Sequence, residues 1–505
     1  MTLTSGTRRF DVGVAILVSV FILTLPLLNP MLRSDAVGYY AFVRSLVIDH
    51  DLQFKNEWEH GEKTSAEPPR LFKGDALFVP RTTLPNEYDL TTSTGLTPNR
   101  YSIGPALLWT PFFLAAHAVA VTLKAAGWDL ATDGYSPLYL YSVAFGSALY
   151  AFIGILLIYR IGLHYFSRKV MLFSTVVVWF ASSLIAYMYG HPLLSHAVSL
   201  FAVSLLLHFW FVRRGARLTI RDTFIVGLLS GLVLSIRLND GLFCVIPLCG
   251  ELAHWHSIKR SPIGTAAAEV IRKALAWSAG CGFALAPTVV IGMFLYGRWT
   301  LTYYPYAHSA EEFSLVYKWV ASSPAFFQVL FSSMHGLFSW TPIIMVSVIG
   351  VVLFARRDTF LGAMLLALFA VQVYLYGGWV NNWEEGSSFG ARAFINFTPM
   401  YILGLAAVTS AARRAVSPLI LSAIGVLFVL WNLGFLLQFG LGLIPRWNYI
   451  DWGQMVHNQF AVLPGYLGSK FLSRIPLSAG IAALLLVGAV AVCLRERIAV
   501  FYRHI

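Results

Sequence analysis

The chain has 505 residues, 57% of them hydrophobic and 12% charged, with a mean hydropathy of +0.68 and a net charge of +12. A soluble chain is about 45–50% apolar and about 25% charged, so this one has too little charge to cover a water-soluble fold, and its apolar content excludes disorder. The basic residues stand between long apolar runs, whereas a nucleic-acid binder gathers them on one solvated face.

The N-terminus carries Arg8 and Arg9 and then apolar residues from Val12 to Leu28. Leu27-Leu28-Asn29-Pro30 is no small-residue cleavage site, so this run reads as a retained first span. Thirteen runs approach the roughly 20 residues that a span needs: 11–28, 102–123, 137–158, 170–189, 197–212, 223–236, 241–254, 274–296, 336–354, 359–376, 394–411, 417–439 and 476–494. Runs 223–236 and 241–254 are short and read as tilted or as a hairpin; dropping both leaves the orientation unchanged.

Charge decides which runs cross, because short cytoplasmic loops collect Lys and Arg. With the N-terminus inside and 102–123 lying in or on the membrane without crossing, the cytoplasmic side holds 20 of the 36 basic residues against six acidic ones. If 102–123 crossed, 18 of those 20 would move outside. The expectation is a single integral membrane domain over 1–505, all-α and polytopic, with about 12 transmembrane helices and both termini in the cytoplasm. Cys244, Cys249, Cys281 and Cys493 lie in apolar runs and form neither a disulfide framework nor a zinc spacing.

The outer loops are the long ones: 29–136, 297–335, 377–393 and 440–475. Loops of this length are functional or disordered, and their Trp, Tyr and Phe content argues against disorder. In the first, Ser34 or Asp35 can cap a helix in which Val37, Tyr40, Val43 and Val47 share one side, with Tyr39 and Arg44 toward the other. This reads as a helix lying flat on the membrane. Asp35 would stand at its start, at the lip of a cavity. It is either a base with a raised pKa or simply a cap. Asp49-His50-Asp51 reads as a solvated helix end.

A second flat helix follows Asn99-Arg100-Tyr101, where Arg100 suits a phosphate or, less specifically, lipid headgroups. His191 and His196 have an i, i+5 spacing broken by Pro192, which is not a zinc pair; His196 fits a hydrogen-bonding role at the cavity mouth. Arg237 lies near Asp240 at the outer end of a run, as a binding group or as half of an ion pair. Around Trp383 stand Trp379, Asn381, Asn382, Glu384 and Glu385, with Arg392 at the next span. Ring faces with amides and carboxylates suit a sugar, and Arg392 suits a lipid phosphate; the alternative is an aromatic belt with solvated acids. The Asn396-Phe397-Thr398 sequon falls at a span start and reads as chance.

Five segments together carry a resemblance: Asp35-Ala36-Val37-Gly38-Tyr39-Tyr40, Gly104-Pro105-Ala106-Leu107-Leu108-Trp109, Leu194-Ser195-His196-Ala197, His335-Gly336-Leu337-Phe338-Ser339-Trp340 and Gly386-Ser387-Ser388-Phe389-Gly390-Ala391-Arg392. Over roughly 30–410 the chain resembles the GT-C membrane glycosyltransferases. These include the protein O-mannosyltransferases and the aminoarabinose transferase of lipid A. The closer likeness is to an uncharacterised bacterial family related to them.

The resemblance implies a polyprenyl-phosphate sugar donor and inverting transfer to a lipid, glycan or protein acceptor. The site would face the periplasm from the inner membrane, with Asp35 as the catalytic carboxylate. Ala36 stands where many relatives have a second acid, which leaves a lone base and no motif for a divalent metal. No cofactor is expected. The substrate-binding set is Tyr39, Arg100, Tyr101, His196, Arg237, Trp383, Glu384, Glu385 and Arg392. The alternatives are a transporter or flippase, whose path would need ionisable groups at mid-membrane, and a scaffold, which leaves the aromatic outer loops unexplained.

Overall fold

The computed structural model describes residues 11–66, 90–257, 263–306, 319–321, 324–379, 383, 386 and 388–466. The expected run 476–494 and the candidate residues Glu384 and Glu385 lie outside the described residues. Within them the regular secondary structure is helical, with one isolated bridge between Trp319 and Trp379.

The helices are α1 (Val12–Thr24), α2 (Asp35–Arg44), α3 (Lys55–Ala66), α4 (Gly104–Ala125), α5 (Pro137–Gly162), α6 (Arg168–Ala181), α7 (Ser195–Arg213), α8 (Ile220–Ile236), α9 (Val245–Ser257), α10 (Ile263–Tyr296), α11 (Pro342–Phe354), α12 (Thr359–Gly377), α13 (Thr398–Ala412), α14 (Pro418–Gly440) and α15 (Trp452–His457). Seven stretches among the described residues are long and apolar enough to cross a membrane: α4, α5, α7, the last 30 residues of α10, α12, Arg392–Ala412 and α14. This is the make-up of a polytopic membrane protein.

Local chemistry sets the ends. The Asp11 carboxylate caps α1 through Gly13 N at 2.9 Å, and Asp358 caps α12 through Leu361 N at 2.9 Å. A reciprocal Thr219–Asp222 box opens α8. The apolar run 170–189 is not one helix. It breaks at Ser182, which is extended, and a π-turn follows at Ala186–Gly190. Asn432 of α14 donates to the carbonyls of Phe180 and Ser182 at 2.9 and 3.0 Å, which supplies donors at the break. Run 336–354 likewise breaks before Pro342.

The basic connections meet at one end of the bundle. Arg168 pairs with Asp11 at 3.4 Å, Arg214 with Asp358, Arg213 with Asp222 at 2.7 Å and Arg217 with Glu269 at 2.8 Å. The start of α2, the start of α7, the end of α8 and the turn Arg392–Phe397 meet at the other end. Helix α4 touches α5 through Phe112, Phe113 and His117, against Tyr139 to Tyr150. Phe112 meets Phe145 and Tyr150, and His117, farther along α4, meets Tyr139 in the first turn of α5, so the two helices pack in opposite senses.

Helix pairs pack backbone to backbone through glycine. A Cβ on Gly227 would lie 2.1 Å from the carbonyl oxygen of Trp277, and one on Gly404 would lie 2.0 Å from that of Ser347. Small residues permit this approach between apolar helices, where burial from water gives no net drive. Gly404→Ala is expected to destabilise the protein by about 1–3 kcal/mol in a thermal melt in detergent. Gly282→Ala, whose Cβ would meet nothing within 4 Å, is expected to leave the melt unchanged.

Candidate functional site

The break between α1 and α2 turns the chain at the end of the bundle. Ser34 has φ 49°, a strained value for a residue with a side chain, and the next residue is Asp35. Asp35 opens α2, but its carboxylate does not serve as the cap expected under the simpler reading. One oxygen accepts from the Tyr101 hydroxyl at 2.8 Å and the other pairs with Arg392 Nη1 at 3.1 Å. Arg100 Nη2 donates to that same Tyr101 hydroxyl at 3.0 Å. Tyr101 thus accepts from a cation and donates to an anion, which fixes its proton on the Asp35 side.

Tyr101 is itself held. Its N–H donates to the Asn99 side chain at 3.1 Å, and Asn99 Nδ2 donates back to the Gly38 carbonyl on α2 at 2.9 Å. A Cβ on Gly38 would lie 2.0 Å from the Tyr101 ring, so glycine is needed for α2 to approach it. The Tyr39 ring lies 4.8 Å from that of Tyr101, and its hydroxyl accepts from Ser195 at 3.1 Å.

Behind Tyr39, Arg237 Nη1 donates to His196 Nδ1 at 2.9 Å and Nη2 donates to the Tyr376 hydroxyl at 3.3 Å. Arginine only donates, so His196 Nδ1 accepts and the imidazole is neutral. Asp240 is buried and accepts from Ser199 and, at 2.7 Å, from Asn396 Nδ2. The sequon asparagine is therefore internal. Trp383 is half-buried and packs on the apolar core.

About a quarter of the Asp35 and Arg392 side chains stays accessible, at 26% and 27%. The pair is thus partly open at the end of the bundle and is not sealed in the core. Burial pushes the Asp35 carboxyl up. Arg392 and Arg100, with the hydrogen bonds from Tyr101 and Arg392, outweigh burial and hold it below its usual value. The expected raised carboxyl is thus corrected: the group is held below its usual value as one half of an ion pair with Arg392. Burial raises Tyr39.

His191 is exposed beside the Asp35–Arg392 pair, and crowding by its neighbours, then the fields of Arg446, Arg392 and Arg33, hold its ring below the usual value. Five arginines, at 33, 100, 237, 392 and 446, therefore act on the region around Asp35, Tyr39 and His191.

Asp35, Tyr39, Arg100, Tyr101, His196, Arg237 and Arg392 come together as one polar array through these contacts. Sequence reasoning did not single out Ser195, Asn99, Tyr376, Arg33 or Arg446 as parts of it. Asn99 stood next to Arg100, and Ser195 next to His196, within segments already noted. Arg33, Tyr376 and Arg446 carried no local signal, because only the fold brings them near. Among the described residues no group of three His, Cys, Asp or Glu could hold a metal. No protein-family model matches the chain, and no curated protein matches it.

Proposed function

We propose that the protein is an integral membrane glycosyltransferase of the GT-C type. It moves a sugar from a polyprenyl-phosphate donor to a hydroxyl acceptor on the outer face of the inner membrane. In this reading the chain has about twelve spans and both termini inside, and α4 lies across the outer end without crossing. The meeting of the basic connections at the far end supports that topology. The observation that carries the function is the partly accessible Asp35–Arg392 pair, ordered by Tyr101 and Arg100, at the end of an apolar bundle. In this reading a polyprenyl tail approaches that end from the lipid, and its phosphate finds arginines there.

The chemistry follows from these groups. The acceptor oxygen attacks the anomeric carbon while its proton passes to the Asp35 carboxylate. The bond from that carbon to the phosphate oxygen breaks, and polyprenyl phosphate leaves with the electron pair. Arg392 and Arg100 meet the charge that develops on the leaving oxygen. A carboxylate held below its usual pKa is a weak base. Donor binding corrects this, because a phosphate that draws Arg392 away weakens its hold on Asp35 and raises the proton affinity of the carboxyl as the acceptor arrives.

A transporter needs ionisable groups along its path. Helices α5, α12, α13 and α14 carry no Asp, Glu, Lys, Arg or His before their last turn, which favours the enzyme.

Native mass spectrometry tests the binding claim. The wild type is expected to retain a polyprenyl phosphate and release the matching polyprenol. Equal retention of both would remove the phosphate site. A second expectation concerns pH. The acid limb of kcat/KM, which reports the free enzyme, lies below the usual carboxylate value, and that of kcat lies above it. Because the folded-state carboxyl is lowered, what its pairing contributes to stability is complete at neutral pH. It is lost only as pH falls through the lowered value. Coincident limbs in a pH–rate series would show that Arg392 stays on Asp35 throughout.

A further inference from the structure

A second charged cluster lies at the far end of α2. Arg44 closes that helix and is 7% exposed. Its Nη1 lies 2.7 Å from Glu57 Oε1 on α3 and also pairs with Asp49. Its Nε donates to the Asp133 carbonyl at 3.0 Å, and the guanidinium stands 4.7 Å over the Tyr135 ring. The His60 ring stacks on Tyr135 at 3.6 Å. Tyr40, one turn earlier on α2, donates to the Gly134 carbonyl at 2.5 Å. Gly134 has φ +86°, and a Cβ there would lie 2.8 Å from Arg44 Cγ. Asn56 donates to Asp49 at 2.7 Å, while His50 and Asp51 are exposed just past the helical turn, as expected of a solvated helix end.

One guanidinium thus joins α2, α3 and the segment before α5. A ten-residue helix is about 15 Å long and moves as a rod. Fixing its last residue fixes the direction in which its first one points. Asp35 is that first residue, and its two partners, on α4's approach and on the Arg392 turn, belong to other parts of the bundle.

We propose that Arg44 is a positioning residue. By tying the end of α2 to Glu57 and to Asp133, it sets the rotation and axial placement of the helix, and so the point where Asp35 meets Tyr101 and Arg392. The kinetic part of this proposal rests on the glycosyltransferase reading; the structural part does not.

The charged and titratable groups around Glu57 are Arg44 and Asp49 from the α2 side, Asp133 and Tyr135 from the segment before α5, and His60 and Lys63 on α3 itself. Burial pushes the Glu57 carboxyl up to about 7 against the pull of Arg44, and its Oε2 is buried without a hydrogen-bond partner. A raised carboxyl favours the protonated folded state, so stability is expected to fall as pH rises through about 7. Glu57→Gln should flatten that slope.

The test uses the full chain in lipid nanodiscs. Arg44→Gln with Glu57→Gln removes the two buried charges together and leaves Asp49 its bond from Asn56 and its contact with water, so the fold is expected to survive. Hydrogen exchange of the 35–44 amides is expected to quicken about tenfold or more while the core helices stay protected. In transfer assays kcat should fall about 10- to 100-fold with KM little changed, as for a misplaced reacting group, and Arg44→Lys should recover part of it. Wild-type exchange in α2 together with wild-type kcat in the double variant would overturn the proposal. Exchange that quickens equally everywhere would also overturn it, since the role would then be only structural. If the wild type transfers no sugar, the glycosyltransferase reading fails, and the exchange result still decides the placement of α2.

Discussion

Asp35→Asn is expected to lower sugar transfer about 100- to 10,000-fold, the usual cost of losing a positioned base. The substitution is nearly isosteric. The amide oxygen still accepts from Tyr101, so the Asn99–Tyr101–α2 contacts have no reason to move. What disappears is the proton acceptor and the counter-charge of Arg392. The same variant should therefore bind polyprenyl phosphate at least as tightly as the wild type, because no carboxylate competes for Arg392. That combination, less turnover with undiminished binding, separates a lost base from a damaged site. Normal turnover in a well-folded Asp35→Asn protein would remove Asp35 from the chemistry.

Arg392→Gln should cost about 100- to 1,000-fold in kcat, or about 2.7–4 kcal/mol of transition-state stabilisation, by analogy with the loss of one donor to a developing oxyanion. It also releases Asp35 from its strongest cation, so the acid limb of kcat/KM should move upward. Arg392→Lys should retain part of the activity, since a point charge replaces a two-pronged donor. A pH–rate series on the three proteins checks both claims. An acid limb that stays in place in Arg392→Gln would mean that Arg392 does not govern Asp35.

Much of the scaffold was legible because apolar length is a strong signal: runs 137–158, 197–212, 359–376 and 417–439 are each a helix. The break inside run 170–189 was not legible. Nothing in Ser182-Ser183 alone stops a helix in a membrane; Asn432, about 250 residues away, makes the break tolerable. The site was legible where a charged or aromatic residue stood against an apolar background, as at Asp35, Arg100, Arg237 and Arg392. What those groups do to one another was not. An aspartate at a lip suggested a raised carboxyl, but Arg392 reaches it from 357 positions later and reverses the sign. Helical spacing places Arg44 on the side of α2 away from its valines. Its anchoring role appears only once α3 and the 133–135 segment fold onto it.

The most direct test is mass spectrometry of envelope glycans and lipid-linked sugars from cells lacking the protein, complemented with the wild type or with Asp35→Asn. The account expects one sugar modification to vanish, its polyprenyl-phosphate donor to accumulate, and only the wild type to restore both. Full restoration by Asp35→Asn, or an envelope unchanged by the loss of the protein, would contradict it.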